Sequence, residues 1–224
     1  MTKRRRLYSY FRSSASYRVR IALGLKGLAY EYTPIHLVKA EQLGDNYRRI
    51  NPLCELPTLE FSDGNQRRRL AQSVAIIEYL DELHPNPPLF PGDPFNRALI
   101  RQRVEAVNAG IQPVQNLRVM KRVVELTGGG RPEMAAWGRE WITLGFDGLE
   151  PLLESSAGEF SVGDTVSAAD VFLIPQVYNA QRFGVNLDDY PCISRIAQRC
   201  SELPAFRAAH PHRQPDTPHE LVES

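Results

Sequence analysis

The chain predicts a protein in two parts: an α/β domain with the element order βαβ then ββα, followed by an all-helical domain. Three observations predict it. Short β-prone runs alternate with amphipathic stretches over roughly the first 80 residues. The segment from His84 to Pro94 carries five prolines in eleven residues, a density that no helix or central strand tolerates. Beyond it, strand-like patterning disappears and helical spacing takes over. The expected boundaries are 1–84 for the first domain, 85–94 for a stiff linker, and 95–224 for the helical domain.

The first domain opens on a β-prone run, Leu7-Tyr8-Ser9-Tyr10-Phe11, which leads into Ser13-Ser14-Ala15-Ser16 and a helix over about 14–26. Hydroxyl side chains at a helix start cap free backbone N–H groups. They also leave donors and a positive dipole end facing any anion placed there. A thiolate at such a place is stabilised, yet position 15 is alanine and the chain supplies no thiol. Two readings stay open: a helix that is merely capped, or a site whose thiol arrives on a ligand. On the helix, Val19, Ala22, Leu23 and Lys26 share a face, and Gly27 is placed to end it. Tyr30–Ile35 is a second strand, so strand, helix and strand form a right-handed βαβ unit with a parallel pair.

A polar segment at about 41–49 reaches Asn51-Pro52. Leu56-Pro57 then opens a strand through Phe61, Asp63-Gly64 signals a turn, and a weaker strand lies near 67–70. Gln72-Ser73 starts a helix on which Val74, Ile77, Leu80 and Leu83 recur every third residue.

In the second domain, Ile100, Val104, Val107, Ile111 and Val114 recur at steps of four and three, which predicts one long helix bent at Pro113. Gly128-Gly129-Gly130 ends that arm, and a helix fits 132–154. Ser167-Ala168-Ala169-Asp170 reads as a capping box, with Val166 and Val171 spaced for a hydrophobic staple. The helix it starts runs to about 182, and shorter ones follow at 191–201 and 204–209.

Composition narrows the class. Hydrophobic residues make up 42% and charged residues 24%, an ordinary globular balance, and the net charge of +1 gives no global argument for a nucleic-acid partner. No apolar run approaches the ~20 residues that span a bilayer, so no membrane role is expected. Lys3-Arg4-Arg5-Arg6 reads as a solvated end, with an organelle address or an anion patch as the alternatives. Cys54, Cys192 and Cys200 lack metal-type spacing and suit a reducing cytosol. His210 and His212 flank a proline in a polar tail, and no metal site is expected.

The motifs together resemble one family. Ser13-Ser14-Ala15-Ser16-Tyr17-Arg18-Val19-Arg20, Leu56-Pro57, Gln72-Ser73, Gly110–Leu117, Asn179–Phe183 and Arg213–Pro218 resemble, in order and over about residues 7–220, the zeta-class glutathione transferases. That class includes the maleylacetoacetate isomerases and maleylpyruvate isomerases. The resemblance implies a thioredoxin-like first domain, glutathione as cofactor and a homodimer formed through the helical domain, in the cytoplasm. It implies isomerisation of maleylacetoacetate to fumarylacetoacetate, in tyrosine and phenylalanine breakdown through homogentisate, by reversible addition of the glutathione thiolate to the cis double bond of a dicarboxylate enone. The alternatives are maleylpyruvate, small α-halo acids, or a non-catalytic glutathione-fold binding protein.

The resemblance also assigns residues. Ser14, with Ser13, holds the thiolate. Leu56, before a cis Pro57, pairs with the peptide backbone; without the family, Pro57 is an ordinary strand start. Gln72 and Ser73 hold the γ-glutamyl carboxylate, where the residues alone show an N-cap. Gln42 reaches the glycyl end. Gln112 and Asn116, four apart on one face of the long helix, contact glutathione and substrate, or else make a helix–helix or dimer hydrogen bond. Arg182, with Arg12 as a second candidate, takes a substrate carboxylate, or else Arg182 complements its helix dipole. Ala15 replaces the usual cysteine of the family, and Arg118 stands where a small hydroxyl residue is common. Cys54 reads as a small buried hydrophobe.

Overall fold

The computed structural model describes residues 5–63 and 66–222. Lys3 and Arg4 of the basic start, and Gly64 of the expected turn, lie outside the described residues. The chain divides into two compact units, Met1–Pro88 with Leu203–Ser224, and Leu89–Glu202.

The first unit holds β1 (Arg5–Ser9), α1 (Ser14–Leu25), β2 (Glu31–Pro34), a 3-10 turn at Glu41–Leu43, α2 (Asp45–Arg48), β3 (Thr58–Asp63), β4 (Gln66–Ala71) and α3 (Ser73–Leu83). The sheet order is β2-β1-β3-β4, with β1 parallel to β2 and antiparallel to β3, and β3 antiparallel to β4. This is the expected thioredoxin-like βαβ-ββα arrangement. The basic start differs from expectation: Arg5 and Arg6 belong to β1, and Arg6 lies 2.9 Å from Glu31 on the neighbouring strand.

Local chemistry sets the limits of α1. Ser13 caps its start by accepting from the Ser16 N–H at 3.2 Å. At its end, Gly27 has φ +64, and the Leu28 and Gly27 N–H groups reach back to Leu23 and Gly24. That pattern is a Schellman motif, for which glycine is favoured. Contrary to a one-sided reading, α1 is buried nearly all round, and Arg18 and Arg20 are each only 1% exposed. Lys26 is buried as well; its Nζ binds Asp81 at 2.5 Å, the His84 carbonyl at 2.7 Å and the Pro87 carbonyl, tying the end of α1 to the end of α3 and the proline-rich segment.

The expected second domain ran through residue 224, but the chain from Leu203 groups with the first unit. Its binding partners explain this. α9 (Pro204–Ala209) packs on α1 closely enough that a Cβ on Gly24 would lie 3.1 Å from Ala205 Cβ. Arg20 Nε donates to the Ala209 carbonyl at 3.0 Å, while Nη1 and Nη2 donate to Ser9 Oγ, the Tyr10 carbonyl and the Phe11 carbonyl. Farther on, Asp216 accepts from the Phe11 N–H at 3.0 Å and the Tyr32 hydroxyl at 2.6 Å.

The second unit is helical: α4 (Pro94–Glu105), a widened π turn at Ala106–Ile111, α5 (Leu117–Thr127), α6 (Arg131–Glu154), α7 (Ala168–Arg182) and α8 (Pro191–Ser201). The seam residues Ile100, Val104, Val107 and Ile111 are all buried. The single bent helix through Val114 is not what forms. The Gln112 N–H bonds the Val107 carbonyl, five residues back, and a turn follows before α5 starts. Pro113 has no N–H to continue the ladder and its ring clashes with the preceding turn, so the helix widens and stops.

α7 starts as expected. The Ser167 hydroxyl accepts from the Ala169 N–H, and Asp170 accepts from the Ser167 N–H at 2.8 Å and the Ser161 N–H at 2.8 Å. Burial pushes the Asp170 carboxyl up, and the Ser161 and Ser167 donors oppose that. Removing this carboxylate leaves two buried N–H groups without an acceptor. Asp170→Ala is therefore expected to destabilise the protein by about 2–4 kcal/mol, read from urea unfolding; a change below about 1 kcal/mol would refute the role assigned to it.

Candidate glutathione and substrate site

The register of the sheet gathers most of the expected residues at one end. Ser9 pairs with Pro34, Tyr8 with Thr58, and Thr58 with Ala71. The ends of β1, β2 and β4 therefore lie beside the start of β3. From this end leave the loop to Ser13 and Ser14, the loop carrying Gln42, the Leu56-Pro57 approach to β3, and the Gln72-Ser73 entry to α3.

The two serines are not equivalent. Ser13 Oγ serves as the cap acceptor. Ser14, the first residue of α1, is 8% exposed and takes no part in that cap. Its hydroxyl and the uncapped N–H groups of the first turn share the positive end of the helix. Ser16 was not singled out; it is fully buried and its Oγ has no partner among the described residues.

The Leu56-Pro57 peptide bond is cis, as the resemblance implied. Leu56 precedes the first ladder pair of β3, and no hydrogen bond to its N–H or carbonyl is recorded among the described residues. The loop before it is held firmly. Tyr47 Oη donates to the Glu55 carbonyl at 2.7 Å and accepts from the Thr58 hydroxyl at 2.8 Å, and Asn51 Nδ2 donates to the same Glu55 carbonyl. Burial pushes the Tyr47 hydroxyl up to about 12, so it stays protonated and donating. Cys54 sits in this loop at φ +56, half-buried, with its Sγ 3.7 Å from the Pro52 carbonyl.

At α3 the cap residue is Gln72, at φ +71 and without a side-chain cap. Its Nε2 turns instead to Glu55 Oε2 at 2.9 Å, which joins this entry to the loop before Leu56. Ser73 is buried, and its Oγ accepts from Arg18 Nη1 at 3.2 Å. Gln42, in the 3-10 turn, has a buried Oε1 without a hydrogen-bond partner among the described residues. Arg12 is half-buried, with its guanidinium carbon 5.5 Å from the centre of the Phe11 ring. An orphaned acceptor on Gln42, unengaged backbone groups at Leu56, the start of α3 without a side-chain cap and the remaining first-turn N–H groups of α1 form a set that fits a short anionic peptide carrying a thiol.

The other expected residues belong to the second unit. Gln112 is half-buried beside the π turn, and Asn116 caps α5, its Oδ1 accepting from the Arg118 N–H at 3.1 Å. They do not share the face of one continuous helix, because the helix stops between them. Arg118 is exposed. Arg182 ends α7, exposed, and donates to Asn179 Oδ1 at 3.1 Å beside the rings of Tyr178 and Phe183. Cys192 and Cys200 are buried thiols, and burial raises both. Sequence reasoning passed over Arg18, Arg20 and Asp216. Asp216 had one signal, its place in the Arg213–Pro218 run, but nothing local showed that it reaches Phe11.

A thioredoxin-like sheet with a capped α1 and an open α3 entry is the architecture of the glutathione S-transferases, and residues 12–83 match the family model for the glutathione S-transferase N-terminal domain. The maleylacetoacetate isomerase of Rattus norvegicus is 49% identical over 96% of both chains. A crystal structure of maleylacetoacetate isomerase from Anaeromyxobacter dehalogenans 2CP-1, with glutathione bound in its active site, has a TM-score of 0.89 at 44% identity, covering 97% of this chain and 99% of that one. The same enzyme has been solved with dicarboxyethyl glutathione and citrate in the active site. The holo structure of a bacterial zeta-class maleylpyruvate isomerase has a TM-score of 0.90 at 41% identity, covering 95% of this chain and all of that one. The chain belongs to the zeta-class glutathione transferases, the family of the maleylacetoacetate isomerases.

Proposed function

We propose that this protein is a glutathione-dependent cis–trans isomerase that converts maleylacetoacetate to fumarylacetoacetate. The observation that carries the reading is the gathering of Ser14, Leu56 and Ser73 at one end of the sheet, with the backbone groups of Leu56 unengaged. Bound glutathione supplies a thiolate that adds to the cis double bond and leaves once the resulting single bond has turned. Ser14 donates a hydrogen bond from its hydroxyl to the sulfur and, with the start of α1, keeps the thiol ionised. A serine hydroxyl need only donate for this, because its own pKa is far too high for it to ionise. Leu56 pairs with the peptide backbone, Ser73 and Gln72 hold the γ-glutamyl carboxylate, and Gln42 holds the glycyl end. In the second unit, Gln112 and the Asn116 amide donor contact the ligands, and Arg182 takes a substrate carboxylate through its planar fork. Arg12 is the second candidate for that task.

Ala15 fits this division of labour. The reaction needs one thiolate, and glutathione brings it, so a cysteine at position 15 is dispensable for isomerisation. The enzyme acts as a cytoplasmic homodimer in aromatic amino acid catabolism, a reading supported by the family resemblance.

Maleylpyruvate is the second candidate substrate, favoured by the 0.90 TM-score to the maleylpyruvate isomerase. Incubating the unmodified protein with glutathione and each cis acid, then separating cis and trans acids by chromatography, is expected to show turnover of maleylacetoacetate and none without glutathione. Turnover of maleylpyruvate alone moves the assignment to the second substrate. No glutathione binding by calorimetry would leave a non-catalytic binding protein. Sedimentation at the mass of one chain would refute the dimer.

A further inference from the structure

Arg18 lies within α1 and is 1% exposed. Its Nη1 donates at 3.2 Å to Ser73 Oγ, 55 residues away on the first residue of α3. Desolvating a guanidinium is costly, so its placement needs a reason beyond packing. A serine hydroxyl has one proton and two acceptor lone pairs. With a lone pair held by Arg18, the Ser73 rotor is restricted and its proton is the part left to give. The same helix start has no side-chain cap, because the Gln72 amide is turned to Glu55. An anion seated there meets the α3 dipole, the Ser73 proton and the Arg18 charge together. The charge acts from inside the protein, where salt screens it little.

We infer that Arg18 is a positioning residue that acts through Ser73 to select ligands carrying the α-carboxylate of the γ-glutamyl group. This rests on the glutathione reading above. Arg18 touches no ligand itself; it fixes the donor that does.

The test compares two peptides by calorimetry: glutathione, and γ-aminobutyryl-cysteinyl-glycine, which lacks only that carboxylate. The unmodified protein is expected to prefer glutathione at least ten-fold. Arg18→Met is expected to cut that preference about ten-fold, and Arg18→Lys to restore part of it. A purely structural role would weaken both peptides alike and leave their ratio unchanged. Ser73→Ala should lower the preference by itself, and adding Arg18→Lys to it should change the ratio no further, since the two residues act as one unit. This arm decides the question even where Arg18→Met fails to fold. A full preference in Arg18→Lys and Ser73→Ala overturns the inference alone. An unmodified protein that binds neither peptide overturns it together with the glutathione reading.

Discussion

Ser14→Ala is expected to lower kcat/KM for glutathione-dependent isomerisation by about 10²–10³-fold, the usual cost of removing one preorganised donor from a developing or resident anion. The fold should be little affected, because Ser13, not Ser14, accepts the first-turn N–H of α1. A loss of that size corresponds to raising the bound thiol pKa to roughly two to three pH units above the working pH. The direct measurement is therefore a thiolate absorbance titration of the glutathione complex, with glutathione affinity measured beside it. Serine should hold the thiol ionised at neutral pH and alanine should not. Activity that falls while the thiol titration stays in place would remove Ser14 from the role of thiolate donor. Activity within about two-fold of the unmodified enzyme would remove it from the mechanism.

Arg20→Met is expected to be the most destabilising single change considered, about 3–5 kcal/mol from urea unfolding. Arg20 is buried and serves four acceptors: the Ala209, Tyr10 and Phe11 carbonyls and Ser9 Oγ. Replacing a whole buried polar network by apolar residues is often harmless, but here only the donor leaves and the acceptors stay buried. Arg20→Lys should recover less than half of the loss, since one ammonium cannot span acceptors arranged for a planar fork. The acceptors lie on both β1 and the C-terminal segment, so limited proteolysis should show the chain beyond Leu203 cut faster in the Met variant. Tyr10 and Phe11 lead directly to Ser13, so glutathione affinity should fall with stability. A loss under about 1 kcal/mol would mean that burial alone holds the segment.

Much of the helical pattern was legible. The starts of α7, α8 and α9 at Ala168, Pro191 and Pro204 follow from a capping box and from prolines at first helical positions. The run at Ile100, Val104, Val107 and Ile111 marked the buried seam correctly. It misled about continuity, because hydrophobic spacing reports which face is buried and says nothing about where the ladder fails. Pro113 was expected to bend the helix; with the π turn before it, the helix ends. Leu83 continued the apolar spacing of α3 yet is 39% exposed, since each step of three falls about 60° short of a full turn and the row drifts off the buried face. In the site, the pairs Ser13-Ser14, Leu56-Pro57 and Gln72-Ser73 were each weak signals alone. Their order along the chain pointed to the family, and the strand register brought them to one end of the sheet.

The sequence by itself determined the element order, the thioredoxin-like first domain, the helical remainder, the family and the missing thiol at Ala15. These depend on signals spanning a few residues: caps, prolines, apolar periods and short motifs. Only the tertiary structure decided that the chain from Leu203 belongs with the first unit, that Arg18 and Arg20 are core residues, and which serine caps α1. A buried charge is stable only where acceptors gather around it, and those of Arg20 include a carbonyl 189 residues away. No local pattern encodes a partner at that distance.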